Sequence, residues 1–289
     1  MWWLAVLALS SGTLDSLEAR VVSVAPGEAL QVTAAGAGAP VVLIPGLFGG
    51  AYGFRKLVPL LVAGGHRVVV IEPLGVGTSA RPERADYSLD AQADRVAAVL
   101  DTLGLRETVL VAHSVGAGIA LRIAYRRPEL VRRLVSLDGG PAERAATPGL
   151  RHAAEWAPWV KLMGGVKLVR SKIHAALIKA SGDTTWVSDE VVEGYTEGAA
   201  RDLDGTLKAF LRMAESREHE KLAPHLPEIR CPVRLVLGGA PHPEALSSRD
   251  LELLRTTLPQ LVVDTIAGAG HHLHEEQPAA VAALVEAAP

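Results

Sequence analysis

The chain has 289 residues, enough for one large α/β unit; 49% are apolar but only 4% aromatic, so Leu, Val, Ile and Ala must build the core. With 29 Lys and Arg against 32 Asp and Glu, the net charge of −3 offers no field to gather nucleic acid, and no basic run carries interleaved aromatics. Cys231 is the sole cysteine, which excludes an intrachain disulfide and leaves a Cys-based metal or redox pair without a partner.

Residues 1–20 form an apolar N-terminal segment. Met1–Leu9 is wholly apolar, then Ser10, Ser11 and Gly12 break it. It lacks the basic start of a secretory signal and is too short to span a bilayer. The expectation is a surface-packed helix or tail on a cytoplasmic protein. Export, or membrane contact through residues 1–9, is the alternative.

Further along, the pattern is strand, turn, helix, repeated. Ala29–Ala34 is an early strand, and Pro40–Ile44 a short apolar run closed by Pro45-Gly46. Phe54–Ala63 is a helix candidate, and His66–Ile71 a second buried run. Leu89–Leu103 carries apolar residues at helical spacing, with Ser88 as cap and Gly104 beyond its end. Thr108–Ala112 is a strand, Gly116–Tyr125 a helix that must stop before Pro128, and Val131–Leu137 another strand. Residues 141–224 break the pattern, with helices expected around 151–159, 166–180, 189–200 and 203–220. Strands return at Val233–Leu237 and Leu261–Ile266, and Pro278–Glu286 is a closing helix. Cys231, just before an apolar strand, reads as a buried inert thiol.

Apolar strands separated by helices imply an α/β fold with a mostly parallel sheet covered on both faces. The expected organisation is a core of residues 21–140 and 225–289, with 141–224 inserted as a helical cap over the strands' C-terminal ends. Two independent domains joined near residue 141 is the alternative.

Ala112-His113-Ser114-Val115-Gly116 sits between a strand and a helix, with Ser114 at the apex of the turn. A strained corner needs small neighbours, and the helix behind it aims free N–H groups at developing negative charge. The fragment resembles the nucleophile elbow of the α/β-hydrolase family, usually G-x-S-x-G, with Ala112 in place of the first glycine. The bland alternative is a serine that only caps the helix.

Residues 43–50, LIPGLFGG, follow the first strong strand. In the resembling family this loop reads His-Gly-x; here Pro45 replaces the His and Gly46 matches the Gly. The resemblance assigns an oxyanion hole to the backbone N–H groups of Leu47 and Val115. No Gly-Lys-Ser/Thr follows, so this is not a phosphate loop. Residues 71–79, IEPLGVGTS, resemble the family's acidic-x-x-G-x-G-x-S turn, with Glu72, Gly75, Gly77 and Ser79 in place. This reads as a structural turn; a dinucleotide fingerprint fails because residue 80 is Ala.

The loop AGAGHHLHEEQP after the last strand resembles the family's Gly-His and acidic-x-Pro ending, which makes His271 the base. His271, His272 and His274 with Glu275 also suggest a metal tract, but no H-E-x-x-H is present and no metal is expected. His113, adjacent to Ser114, is expected to pack or hydrogen-bond within the turn. The acid is less plain. The loop GGAPHPEALSSRD after the next-to-last strand has no Asp in the family's usual place, only Glu244, with Asp250 already on the next helix. Some members supply the acid after the strand preceding the cap, where Asp138 stands. Asp138 is favoured and Glu244 is the alternative.

Ser, His and a backbone oxyanion hole imply a serine hydrolase without a cofactor, cleaving an ester of a small or medium apolar acyl group. Carbon–carbon hydrolysis of diketone-type substrates is one alternative, and a non-enzymatic ligand-binding protein on this fold another. Haloalkane dehalogenases and epoxide hydrolases of the family use Asp as nucleophile, where this chain has Ser114. The partner expected is a small molecule, an apolar ester, with no nucleic acid. Trp156, Trp159, Met163, Trp186, Tyr195, Phe210 and Met213 of the inserted segment either line an acyl pocket or pack among themselves.

Overall fold

The computed structural model describes residues 18–145, 160 and 164–287. The apolar start of the chain, the helix expected at 151–159, and Trp156, Trp159 and Met163 lie outside the described residues.

The chain opens with β1 (Glu18–Ala25) and β2 (Glu28–Ala35), a hairpin turning at Gly27, whose φ of 76° is open to glycine. β3 (Ala39–Ile44) follows, then a single-turn helix over Gly50–Phe54 and α1 (Leu57–Ala63). Next come β4 (His66–Ile71), α2 (Leu89–Thr102), β5 (Thr108–His113), α3 (Gly116–Arg126) and β6 (Val131–Leu137). Before the next strand come α4 (Val166–Ala180), α5 (Asp189–Tyr195), α6 (Glu197–Arg201), α7 (Leu203–Glu215) and a short helical turn over Ala223–Glu228. The chain ends with β7 (Val233–Gly238), α8 (Ser248–Thr257), β8 (Leu261–Ile266), α9 (Leu273–Glu276) and α10 (Pro278–Glu286).

The strands form one eight-stranded sheet in the order β1-β2-β4-β3-β5-β6-β7-β8. β1 and β2 pair antiparallel with each other, and β2 antiparallel with β4; the remaining neighbours are parallel. β7 and β8 extend the sheet directly from β6, so the chain on either side of the helical insertion shares one core.

Strand periodicity divides that core between two faces. Val42, Ile44, Val69, Ile71, Leu110 and Ala112 pack with α2 and α3 through Val96, Leu100, Ile119 and Ile123. Val41, Leu43, Val68, Val70, Val109 and Val111 pack with α1 and α10 through Leu57, Leu61, Val281 and Val285. Because both faces are covered, the central strands read as unbroken apolar runs.

Departures from the expected elements have local causes. β1 is an edge strand with most residues exposed, so it carries no apolar alternation to find. The expected helix at 54–63 starts only at Leu57, because Gly50–Phe54 winds into its own tight turn. The expected helix at 189–200 divides at Thr196, whose hydroxyl bonds back to the Val192 carbonyl at 2.7 Å.

A buried ion cluster fixes the chain leaving the insertion. Arg122 on α3 is fully buried and pairs with Asp90 on α2 at 2.7 Å. The other Asp90 oxygen accepts from the His219 and Glu220 main-chain N–H groups at 2.7 and 3.1 Å. Arg122 also donates to the Ala142 carbonyl at 3.0 Å, anchoring the chain just after β6.

Where β6 ends, Gly139 has no room for a side chain: a Cβ there would collide with the Ser114 carbonyl oxygen and the Ala117 Cβ. Gly139→Ala should therefore destabilise the protein by roughly 1–3 kcal/mol, as overpacking against backbone does. A urea midpoint equal to that of the parent would contradict this close approach.

Candidate active site

Ser114 stands at the corner between β5 and α3. Its φ is +55°, one of three positive values at non-glycine residues among the described residues; the others are Glu107 and Asp138. A serine in this region is strained by about 1–3 kcal/mol and persists only where its surroundings fix it. Here the Ser114 N–H donates to the Leu137 carbonyl and the Ser114 carbonyl accepts from Ala117 N–H, both at 3.0 Å. Gly116 supplies the other condition: a Cβ there would lie 2.8 Å from the carbonyl oxygens of Ile44 and Pro45. Ala112 is fully buried in β5. Small residues around Ser114 are thus packing requirements of the corner.

Gly46 packs directly on this corner; a Cβ added to it would lie 3.1 Å from Ser114 Cβ. Neither the Leu47 nor the Val115 main-chain N–H donates to an acceptor among the described residues. Both residues line a narrow cleft, together with Pro45, Pro73, Val76, Tyr87, Leu89, Ile119 and Met213.

The loop carrying Leu47 is braced by Glu72. One buried carboxylate oxygen accepts from Ala51 N–H at 2.7 Å, the other from Thr78 N–H at 2.6 Å and the Thr78 hydroxyl at 3.0 Å. Ser79 Oγ donates to the Glu72 carbonyl at 2.7 Å and accepts from Gln31 N–H at 2.8 Å. The IEPLGVGTS turn therefore acts as a clamp, consistent with a structural role.

His271 lies in the loop after β8, and its Nδ1 is 2.7 Å from Asp138 Oδ2 in a buried hydrogen bond. A carboxylate can only accept, so Nδ1 carries the proton. Asp138 terminates β6 with a φ of +49°. Its Oδ1 accepts from Gly238 N–H at 3.2 Å, and its own N–H donates to the Val236 carbonyl at 2.8 Å. Glu244 lies exposed in the loop between β7 and α8, and Asp250 is on α8. The structure thus brings Asp138, not Glu244, to His271.

The backbone at His271 is held from two sides. Its N–H donates to the Ala180 carbonyl at the end of α4, at 2.8 Å, so the inserted helices touch this loop. Its carbonyl accepts from His113 Nε2 at 3.0 Å, which fixes the His113 tautomer and ties the loop after β8 to the residue beside Ser114. His113 therefore bonds outside its own turn, across the site. The two rings are 4.6 Å apart.

Three further histidines lie close by. His113, His272 and His274 hold ligating atoms within 4.8 Å of one another, as do Asp138, His242 and His271. The tract legible in the sequence is thus divided in space: His113 joins His272 and His274, whereas His271 faces Asp138. No carboxylate belongs to the first cluster, and the second is already joined by the His271–Asp138 hydrogen bond.

Glu275 is buried beneath this loop. Arg55 donates to it, and Tyr195 on α5 donates at 3.0 Å. Burial raises its carboxyl above the ordinary glutamate value, and Arg55 opposes that shift. Glu276 accepts from the Gly182 and Asp183 N–H groups at 2.8 Å. Trp186 and Tyr195 pack with Ile173, Leu177, Val191 and Val192, so these aromatics of the insertion build its own core. Phe210 instead meets Phe48 edge-on at 5.3 Å, and Met213 lines the cleft. Cys231 is half-buried, and burial pushes its thiol up to about 11, leaving it unreactive at neutral pH.

Comparison with known proteins places this architecture. A family defined by the α/β-hydrolase fold matches residues 39–167. The chain is 28% identical over 244 residues to an sn-1-specific diacylglycerol lipase of Xenopus tropicalis, spanning 83% of this chain and 74% of that one. It is 38% identical over 129 residues to a 2-hydroxymuconate semialdehyde hydrolase of Pseudomonas sp. (strain CF600), covering 44% and 46% of the two chains. The solved structure of Cfl2 from Burkholderia cenocepacia matches with a TM-score of 0.71 and 26% identity, covering 92% of this chain and 94% of that one. The chain has the α/β-hydrolase fold, and its sequence resembles that superfamily. These relatives support hydrolase activity on a small molecule and leave the substrate open. Among the described residues no helix is long and apolar enough to cross a membrane.

Burial, reinforced by neighbouring imidazoles, pushes His113 and His272 well below the ordinary histidine value and His274 down to about 3. The unfolded chain takes up protons at these positions near pH 6.5, about the free histidine value, whereas the folded chain resists them. Their contribution to stability is therefore full above that pH and is lost as the pH falls toward the folded values. The melting temperature should decline between about pH 7 and pH 5. His272→Phe, which keeps a ring against Trp186 and Tyr195, should make that decline shallower. An unchanged slope would contradict a neutral, buried His272.

Proposed function

We propose that the chain is a serine hydrolase that cleaves esters of small or medium apolar acyl groups through an acyl-enzyme on Ser114. The observation that carries this reading is the buried hydrogen bond from His271 to Asp138, on a loop fastened beside the strained Ser114 corner.

Ser114 Oγ attacks the ester carbonyl carbon while His271 Nε2 takes its proton. The carbonyl oxygen becomes an oxyanion that accepts from the Leu47 and Val115 N–H groups, where α3 also presents its positive end. Collapse breaks the carbon–oxygen bond, and the His271 proton leaves with the alcohol. Water then attacks the acyl group, His271 takes its proton, and the acid departs as Ser114 recovers it. Asp138 stays ionised throughout, fixing the ring and supporting the imidazolium.

The cleft lining supports this substrate class. Its walls beside Leu47 and Val115 are aliphatic, with Tyr87 and Gln92 the polar-tipped members, and no charged side chain lines it among the described residues. An apolar acyl chain fits such walls. The inserted segment, residues 141–224, acts as a cap: Met213 closes one wall, and Ala180, Gly182 and Tyr195 hold the base loop.

Carbon–carbon hydrolysis is the second reading, favoured by the identity shared with the semialdehyde hydrolase. The same residues would serve it, but an anionic substrate would want a cation in the cleft. A panel of p-nitrophenyl esters of rising acyl length beside a diketone-type substrate separates the two. Ester turnover that peaks at short or medium chains supports the first.

Ser114→Ala should abolish that turnover with the fold intact. Asp138→Asn should lower kcat by about three to four orders of magnitude, the scale seen when a triad acid loses its charge, while Glu244→Gln stays near the parent rate. Full turnover by the Ser114 variant, or a larger loss at Glu244 than at Asp138, would overturn the assignment.

A further inference from the structure

The loop between β7 and α8, where many family members would carry the acid, here offers a histidine. His242 lies between Pro241 and Pro243, which restrict its backbone. The loop is pinned to the neighbouring one: Gly239 N–H donates to the Ile266 carbonyl and Ala240 N–H to the Ala269 carbonyl, both at 2.9 Å. The His242 side chain is fully buried, with its Nε2 3.4 Å from Asp138 Oδ2. That oxygen is the one already bonded to His271 Nδ1. Neither ring nitrogen of His242 has a hydrogen-bond partner among the described residues. A buried imidazole with both nitrogens unpaired is costly, and the one anionic atom within reach lies a few tenths of an ångström beyond hydrogen-bond distance.

We propose that His242 is a positioning residue, donating from Nε2 a second hydrogen bond to Asp138 that holds the carboxylate toward His271. The proposal rests on the reading of Ser114, His271 and Asp138 as the reacting set. With His242, one carboxylate oxygen serves two imidazoles, from the β7–α8 loop and from the loop after β8. Gly238 N–H holds the other oxygen. The groups facing His242 are Asp138 at the end of β6, His271 at a ring separation of 5.7 Å, and His272, whose protonation His242 further disfavours. Glu244, in its own loop, is exposed.

The second donor has two effects. It restrains the rotation of the carboxylate, and it draws charge from the oxygen that supports the His271 imidazolium. His242→Phe removes both. The variant should turn over p-nitrophenyl butyrate about tenfold more slowly in kcat with KM unchanged, equivalent to about 1.4 kcal/mol. Charge left on Asp138 then stabilises the protonated His271 more, so the acid limb of the kcat/KM profile should move up by about half a pH unit. His242→Gln, which restores an N–H donor, should recover most of both.

Circular dichroism melts of each variant establish that the fold is retained. If His242→Phe matches the parent in kcat and acid limb while Ser114→Ala is inactive, the inference fails and the catalytic reading stands. A His242→Gln variant no better than His242→Phe also overturns it, since a donor would not then be what matters. If Ser114→Ala retains turnover, the catalytic reading fails. The low-field N–H proton resonance of the His271–Asp138 hydrogen bond then decides: a shift in His242→Phe supports the contact, and an unchanged resonance overturns it.

Discussion

Everything at this site depends on one buried hydrogen bond joining residues 133 positions apart, His271 Nδ1 to Asp138 Oδ2. An imidazole on a loop has little reason to hold one orientation. The carboxylate supplies that reason, and burial strengthens the bond by excluding water. Two further contacts serve the same end. His113 grips the His271 carbonyl and Ala180 grips its N–H, so ring and backbone are set together. The parallel register of β5 and β6, with His113 opposite Leu137, places Ser114 and Asp138 side by side at the end of adjacent strands.

The two strained residues at the site follow from that register. Ser114 and Asp138 each leave a strand and adopt positive φ at once. Gly116 and Gly139 exist because the chain passes too close for any Cβ. The Glu72 clamp and the Asp90–Arg122 pair then hold the adjoining loops at a distance from the chemistry. Paired polar groups buried at this density specify one arrangement because each has a partner to lose. His242 stands apart in having both side-chain nitrogens buried and without a hydrogen-bond partner among the described residues, which is why it invites a functional reading.

Much of this was legible in the sequence. The central strands over 40–44, 66–71 and 108–112 are legible because double-sided burial writes a near-continuous apolar run. Ser114 and His271 are legible because the corner demands small neighbours and the loop after β8 demands glycine, and both demands leave marks in the chain. The edge strand β1 left none, since exposed residues owe nothing to the core. Asp138 against Glu244 stayed open because a strand end shows where a carboxylate sits but not which imidazole it meets. His242 is illegible for a related reason: nothing in its loop marks a residue that serves an acid on another strand. The meeting of His113 with His272 and His274 is also invisible, because it joins distant parts of the chain.

The central claim is that Ser114 is an activated nucleophile, and a fluorophosphonate probe read by peptide mass spectrometry tests it most directly. The account predicts one phosphonylated serine, at residue 114, in the parent protein, and labelling that collapses when His271 is replaced by Ala. A folded parent protein that stays unlabelled, or labelling at Ser114 that proceeds undiminished without the imidazole, would contradict it.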